Sequence, residues 1–448
     1  MRSRQRTFEA RRLARALLSV PWAFDPMVAV LDRNSDGRTP FWPSLVERVL
    51  AHFGERPPRP RRESLRRMLE EDRVFDEDYR DRMARLTRRR SWRKSPCLNR
   101  SVFPALEPRF EAGPRAEGWD LPEISTHREL ASRLGVPTTT LEGWADARGW
   151  LGRIRSDSRQ HYRRTWVPGR SGGRLLEAPK EQLKKMQSWI LRAILNRIPL
   201  HDAAHGFVRG RSIRSHAERH VGQRVVLRVD LRAFFSSISA GRVHGLFAYG
   251  GYPEDVADTL TGLSTTITPA DALPPSTDPF LADLLRQRHL PQGAPTSPAL
   301  ANLVAFRMDA RLAGFAEAWG AHYSRYADDL TFSGGGALRG GRFLGGVTDI
   351  VEAEGFTVRT NKTLCMGQGR RQTVTGLVVN EQVALPRRRF DRLKAILHQC
   401  ALDGPDAHNR EQHPDFRAHL LGQISFAEMV DPARGAKLRA RFERISWD

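Results

Sequence analysis

The spacing of apolar positions changes along this chain, and each change marks a predicted element. Across residues 180–197 apolar side chains recur at three- and four-residue steps, which predicts an amphipathic helix. Residues 225–229 form a short, mostly apolar run and predict a buried strand. Residues 321–332 predict two strands joined by a tight turn, and residues 374–379 a further strand. Trp166-Val167 and Leu175-Leu176 flank a glycine-rich tip at residues 168–174, the pattern of a hairpin. Residues 295–312 and 344–355 predict helices, and residues 386–448 a mostly helical, basic end. Upstream, Thr126 caps a short helix carrying Leu130, Ala131 and Leu134; Gly135 ends it, and residues 138–140 begin a second. That pair fits a helix-turn-helix DNA reader, but any two-helix hairpin has the same periodicity, and a structural entry into the next domain is the preferred reading. Residues 1–24 are Arg-rich around the apolar segment 14–20, which Arg15 interrupts; an amphipathic helix is expected rather than a signal peptide. Pro108, Gly113, Pro114 and Gly118 break periodicity across residues 106–122 and mark a domain boundary.

Composition changes this picture mainly through charge. The 448 residues suffice for two or three domains with a large core. Hydrophobic residues make up 40% and charged residues 28%, ordinary for a soluble globular chain. Lys+Arg 73 against Asp+Glu 51 leaves +22, which points to a polyanionic partner, since each neutralised phosphate releases counterions. Much of the basic surplus sits in the extension 1–118, including residues 56–62 and a stretch with Arg82, Arg85, Arg88, Arg89, Arg90, Trp92, Arg93 and Lys94. An aromatic among basic residues suits a nucleic-acid backbone and a stacked base, and equally a solvated helix face. Cys97, Cys365 and Cys400 form no CxxC pair, so neither a disulfide framework nor a cysteine zinc site is expected, consistent with a reducing cytoplasm. No apolar run reaches the length of about 18 residues that a membrane span needs.

Candidate chemistry centres on Tyr326-Ala327-Asp328-Asp329, bracketed by Tyr323, Leu330 and Phe332. Adjacent carboxylates at a hairpin turn repel each other unless cations sit beside them. Mg²⁺ favours a few carboxylates completed by substrate phosphates, so a third acid is needed, and Asp230 supplies it at the end of the strand 225–229. Such a site suits phosphoryl transfer with two metal ions. An isolated Asp-Asp pair is usually a solvated turn; its company here favours the catalytic reading.

These residues, with Val-Asp-Leu-Arg-Ala-Phe-Phe at 229–235 and Leu-Pro-Gln-Gly-Ala-Pro-Thr-Ser-Pro at 290–298, resemble the palm of a reverse transcriptase over roughly residues 125–440. The resemblance implies an α+β right-hand polymerase: fingers, a palm of antiparallel sheet plus helices, and a helical thumb, preceded by a mostly helical basic extension. The expected boundaries are 1–118 for the extension, 119–228 for N-terminal helices and fingers, 229–380 for the palm and 381–448 for the thumb. It implies catalytic and metal-holding roles for Asp230, Asp328 and Asp329, with the Leu231 carbonyl at the metal. Lys362 matches the lysine proposed to protonate pyrophosphate. Nucleotide contacts fall on Arg170, Arg174, Phe234, Phe235, Gln292, Gly293 and Tyr326, with Phe235 under the sugar. The expected cofactor is a pair of Mg²⁺ ions, with Mn²⁺ as a substitute.

His205-Gly206-Phe207, Gly210-Arg211-Ser212-Ile213 and Val374-Thr375-Gly376 narrow the resemblance to bacterial retron reverse transcriptases. The group's Asn-Ala-x-x-His marker reads His216-Ala217-Glu218-Arg219-His220 here, a departure at its first position. Val374, Thr375, Gly376, Arg387 and Arg388 are the implied RNA-contacting residues; for His216 and His220 a metal pair lacks a third ligand, and a structural or RNA-contacting role is expected. The implied activity is copying of a cognate structured noncoding RNA from dNTPs, primed by an internal guanosine 2′-hydroxyl. The product is branched RNA–DNA made in anti-phage defence, with an effector protein as partner, no membrane association and a cytoplasmic location. The alternatives are a group II intron-like or diversity-generating reverse transcriptase, an RNA-dependent RNA polymerase and a non-catalytic RNA-binding scaffold. A small residue in place of Phe235 would suit the RNA polymerase, and the intact acids disfavour the scaffold.

Overall fold

The computed structural model describes residues 116, 118–146, 160–168 and 173–447, together with most of 10–34, 41–54 and 61–75. Arg170 and the basic stretch at 82–94 lie outside the described residues. The chain forms two compact units, one of residues 1–148 with 244–263 and one of residues 149–243 with 264–448. The first is helical. Helices Phe24–Asn34, Phe41–Phe53 and Arg61–Glu71 pack around Met27, Leu31, Trp42, Leu45, Val49 and Leu65. Leu13, Ala14 and Leu17, from the apolar segment near the N-terminus, are buried in the same cluster. Thr126 caps His127–Arg133 by accepting from Glu129 N, and Gly135 leaves the helix at φ +67°. The next helix, Thr138–Ala145, approaches Gly262 so closely that a Cβ there would stand 2.0 Å from the Ala145 carbonyl oxygen.

The second unit carries the sheet. Strands β1 (Tyr162–Val167) and β2 (Arg174–Pro179) form the expected hairpin. A four-stranded sheet follows, with order β4-β5-β3-β6 and every pairing antiparallel: β3 Val225–Asp230, β4 His322–Tyr326, β5 Asp329–Gly334 and β6 Leu364–Gly367. β3 occupies a central place because Val225, Val226, Leu227 and Val229 are all buried. The C-terminal helices Arg387–Asp403, Phe416–Val430 and Pro432–Phe442 pack through Leu393, Leu397, Leu420, Ile424 and Leu438. Mixed helix and antiparallel sheet is the expected α+β class. Among the described residues no helix is long and apolar enough to cross a membrane.

Two expected elements differ. The helix expected over 295–312 is two, Ser297–Val304 and Phe306–Ala318, joined at Ala305. The break falls at Val304-Ala305-Phe306, of which only Ala305 is a strong helix former, and the two segments present Asn302 and Asp309 to the same Arg325. The strand expected over 374–379 is instead a small hairpin, β7 (Thr373–Val374) and β8 (Leu377–Val378). Its turn needs positive φ at both central residues, Thr375 at +46° and Gly376 at +83°, which a continuous strand forbids.

Candidate active site

The acids converge through register. Asp230 ends β3 and lies directly opposite Asp329, the first residue of β5. Tyr326 closes the β4–β5 hairpin against Asp329, leaving Ala327 and Asp328 as a two-residue turn. Ala327 has φ +56° while Asp328 does not go positive, the pattern of a type II′ turn, a place where glycine is usual. Leu231 N donates to the Asp328 carbonyl oxygen at 2.9 Å, tying the end of β3 to this turn. Three carboxylates on facing strand ends repel, and the structure registers it. Asp328 is open to solvent, yet the surrounding protein, the Asp230 charge and then Asp329 push its carboxyl above the ordinary range, while Lys362 pulls the other way. Asp329 is raised by burial and by Asp230, against the pull of Arg228, which holds it in an ion pair.

A divalent cation fits this donor set. Asp230 Oδ1 is buried and accepts no hydrogen bond among the described residues, although Arg359 Nε stands 3.5 Å away. An oxygen acceptor left without a donor among other carboxylates suits a hard cation. Arg228 pairs with Asp329 and Arg359 stands beside Asp230, so both carry countercharge at this cluster. Neither was singled out from sequence; β-strand alternation was the available signal, since Arg228 precedes Asp230 by two and shares its face.

The turn rests on a buried polar frame. Arg325 and Asp309 are both fully buried and form a bidentate ion pair at 2.8 and 2.6 Å, to which Tyr323 Oη adds a hydrogen bond at 2.7 Å. Arg325 also donates to Asn302 Oδ1 and to the Ala327 carbonyl oxygen, each at 3.0 Å. Loop residues 203–206 lie against the same strand: His205 N donates to the Arg325 carbonyl oxygen at 2.7 Å. Asn302 Nδ2 donates to the Gly206 carbonyl oxygen at 2.9 Å. A Cβ on Gly206 would stand 2.5 Å from Ala327 N, so only glycine fits there.

Other expected residues separate into those facing the site and those inside the protein. Phe235 is half-buried, whereas Phe234 is buried against Phe356 and so is removed from the nucleotide contacts. Arg174 is exposed at the start of β2. Glu177 N, on the same strand, donates to the Gln292 carbonyl oxygen at 2.8 Å. Gly293 has φ +125° and approaches the Glu177 backbone. Burial alone would raise the Glu177 carboxyl, but His289 and Arg164 hold it below the ordinary range, so this buried acid pins β2 as a charged group. His216, His220 and Val374 are fully buried, which withdraws their side chains from RNA contact. His220 instead bridges the β4–β5 hairpin, its ring nitrogens 2.7 Å from Ser324 Oγ on β4 and 2.7 Å from Ser333 Oγ on β5. His216 lies 5.9 Å, ring to ring, from Tyr326. Thr375 is half-buried, while Gly376, Arg387 and Arg388 remain exposed.

Residues 168–379 match the family model described as reverse transcriptase (RNA-dependent DNA polymerase). Retron Mx65 reverse transcriptase of Myxococcus xanthus is 41% identical over 325 residues, covering 72% of this chain and 72% of that protein. Retron Mx162 reverse transcriptase of the same organism is 37% identical over 361 residues, 75% of this chain and 70% of that protein. Retron Ec86 reverse transcriptase of Escherichia coli is 32% identical over 226 residues, 50% of this chain and 64% of that protein.

Proposed function

Since the chain belongs to the bacterial retron reverse transcriptases, we propose that it copies a cognate structured noncoding RNA into DNA from an internal guanosine 2′-hydroxyl, leaving a branched RNA–DNA molecule. RNA-directed DNA polymerisation is the activity of its family. The observation that carries the site assignment is the register that sets Asp230 opposite Asp329 and one residue from Asp328. These three acids, with the Leu231 carbonyl, would hold two divalent ions, Mg²⁺ or its substitute Mn²⁺. When bound, such ions lower the pKa of an attacking hydroxyl and neutralise a leaving pyrophosphate.

The chain's own groups do the positioning. Arg174 grips the triphosphate, and Phe235 packs under the sugar where a 2′-hydroxyl would clash. Gln292 and Gly293, fixed by the Glu177 backbone, line the nucleotide and template. Lys362, close enough to pull on the Asp328 carboxyl, protonates the departing pyrophosphate. Residues 119–228 serve as N-terminal helices and fingers, 229–380 as palm and 381–448 as thumb. Exposed Arg387 and Arg388 at the start of the first thumb helix meet duplex phosphates, and the strained tip at Thr375-Gly376 meets the RNA. Work in anti-phage defence beside an effector protein, in the cytoplasm, completes the proposal.

The test is the nucleic acid that copurifies with the chain expressed alongside its adjacent noncoding RNA. A hybrid that loses mass to both ribonuclease and deoxyribonuclease and carries a 2′–5′ linkage is expected. Only linear DNA from an added primer would leave the polymerase and remove the branched priming.

A further inference from the structure

Phe207 breaks two rules at once. It is 52% exposed, so its ring gains little from burial, and it holds φ +62°, a region that bulky side chains avoid. A residue kept only for folding would be glycine at such a position. The strain is held in place from both sides. Gly206, its neighbour, is clamped by Asn302 and lies within backbone contact of Ala327 in the catalytic turn. His205 is hydrogen-bonded to Arg325 on β4. The loop therefore moves with the hairpin that carries Asp328 and Asp329. Its exposed ring stands 6.2 Å from Phe235 and 6.4 Å from Tyr326, centroid to centroid.

Strain that leaves half of an aromatic ring exposed beside a reaction centre is a mark of ligand contact. We propose that Phe207 is a further substrate-contacting and specificity-determining residue: with Phe235 and Tyr326 it forms an aromatic wall against which the incoming nucleotide packs. Phe235 meets the sugar from one side, and Phe207 backs Phe235 while offering its own free face to the nucleotide. Aromatic faces serve this role because base and sugar surfaces stack on them regardless of sequence. The inference rests on the polymerase reading of the site.

The experiment is steady-state dNTP incorporation on an RNA template with an annealed primer, comparing wild type with Phe207→Gly, Phe207→Leu and Phe207→Tyr. Phe207→Gly relieves the backbone strain, so its Tm should equal or exceed that of wild type. Its KM for dNTP should rise about tenfold or more, the usual share of one stacking contact. Its kcat should change far less, and its preference for dNTP over rNTP should relax as Phe235 loses its backing. Phe207→Tyr should restore both constants, whereas Phe207→Leu should not; the Leu variant carries the test should the Gly variant fail to fold. An unchanged KM and unchanged sugar preference in a folded ring-less variant overturn the proposal. Wild type that incorporates no dNTP on any RNA template overturns the polymerase reading itself, a different outcome from an active wild type with indifferent variants.

Discussion

Asp328 and Asp329 are costly residues for the fold. Surrounding protein and the neighbouring Asp230 disfavour their charged forms, so each carboxyl titrates above its ordinary range. A raised carboxyl contributes stability only while protonated, below the unfolded value near 3.9, and loses it as pH rises through the folded value. At neutral pH the cluster is therefore a liability that a bound cation removes. Asp328→Asn should raise Tm in EDTA, by about 1 kcal/mol at most in stability, while abolishing DNA synthesis. Adding Mg²⁺ at about 100 times its Kd should stabilise wild type by up to about 2.7 kcal/mol and leave the Asp328→Asn, Asp329→Asn double variant unmoved. Calorimetry in EDTA and in Mg²⁺ checks both, and a double variant that still gains Tm from Mg²⁺ contradicts the assignment. At this scale the acids were legible in sequence because Tyr326-Ala327-Asp328-Asp329 is contiguous and Asp230 ends an apolar run. Arg325, Asp309 and Asn302 were not, because their partnership exists only once separate helices and β4 fold together.

The β4–β5 hairpin is the element on which the site depends; His220 braces it through Ser324 and Ser333 and ends a row of three buried histidines. His205 and His216 lie 5.6 Å apart, as do His216 and His220, with Tyr326 beyond His216. Desolvation first, then neighbouring positive charge, brings His205 down to about 4 and His216 to about 3. His220 falls well below its usual value for the same reasons. The folded values lie below the unfolded value near 6.5, so the unfolded chain binds more protons in between. Stability from these groups is thus complete above about pH 6.5 and is lost as pH falls toward 4 and 3. Each group should add about 1.4 kcal/mol of loss per pH unit inside its window. His216→Asn, which places the family's usual residue there, should make the pH profile of chemical denaturation shallower; an unchanged slope would contradict the brace. Sequence spacing showed His216 and His220 one helical turn apart, but the serine partners of His220 lie on β4 and β5, far along the chain. Local periodicity cannot report such pairs, which is why the sequence leaves a structural and an RNA-contacting role open where burial favours the structural one. The hairpin itself, with β3, was readable because buried strands announce themselves in a few consecutive residues.

For the whole molecule the dominant quantity is the surplus of +22 charges. Binding of the noncoding RNA should weaken steeply with salt, by about a thousandfold or more between 50 and 200 mM if six or more phosphates are neutralised. Arg387→Glu with Arg388→Glu should flatten the log–log slope by about two contacts' share, measured by filter binding across salt concentrations. A slope unaltered by the double change would move the RNA off the first thumb helix. The α+β class and the order of motifs were legible because reverse transcriptase signatures are short and local. The helices Ala240–Tyr249, Glu254–Ser264 and Pro279–Arg286 were not singled out, since nothing in their composition ties them to the chemistry. The assignment of Asp230, Asp328 and Asp329 to DNA synthesis on an RNA template underlies the whole proposal. The direct measurement is labelled dNTP incorporation on RNA by wild type and by the Asp328→Asn, Asp329→Asn variant, with RNA affinity determined in the same samples. Equal RNA binding with product from wild type alone is expected; product from the variant at wild-type rates would overturn the three-acid site.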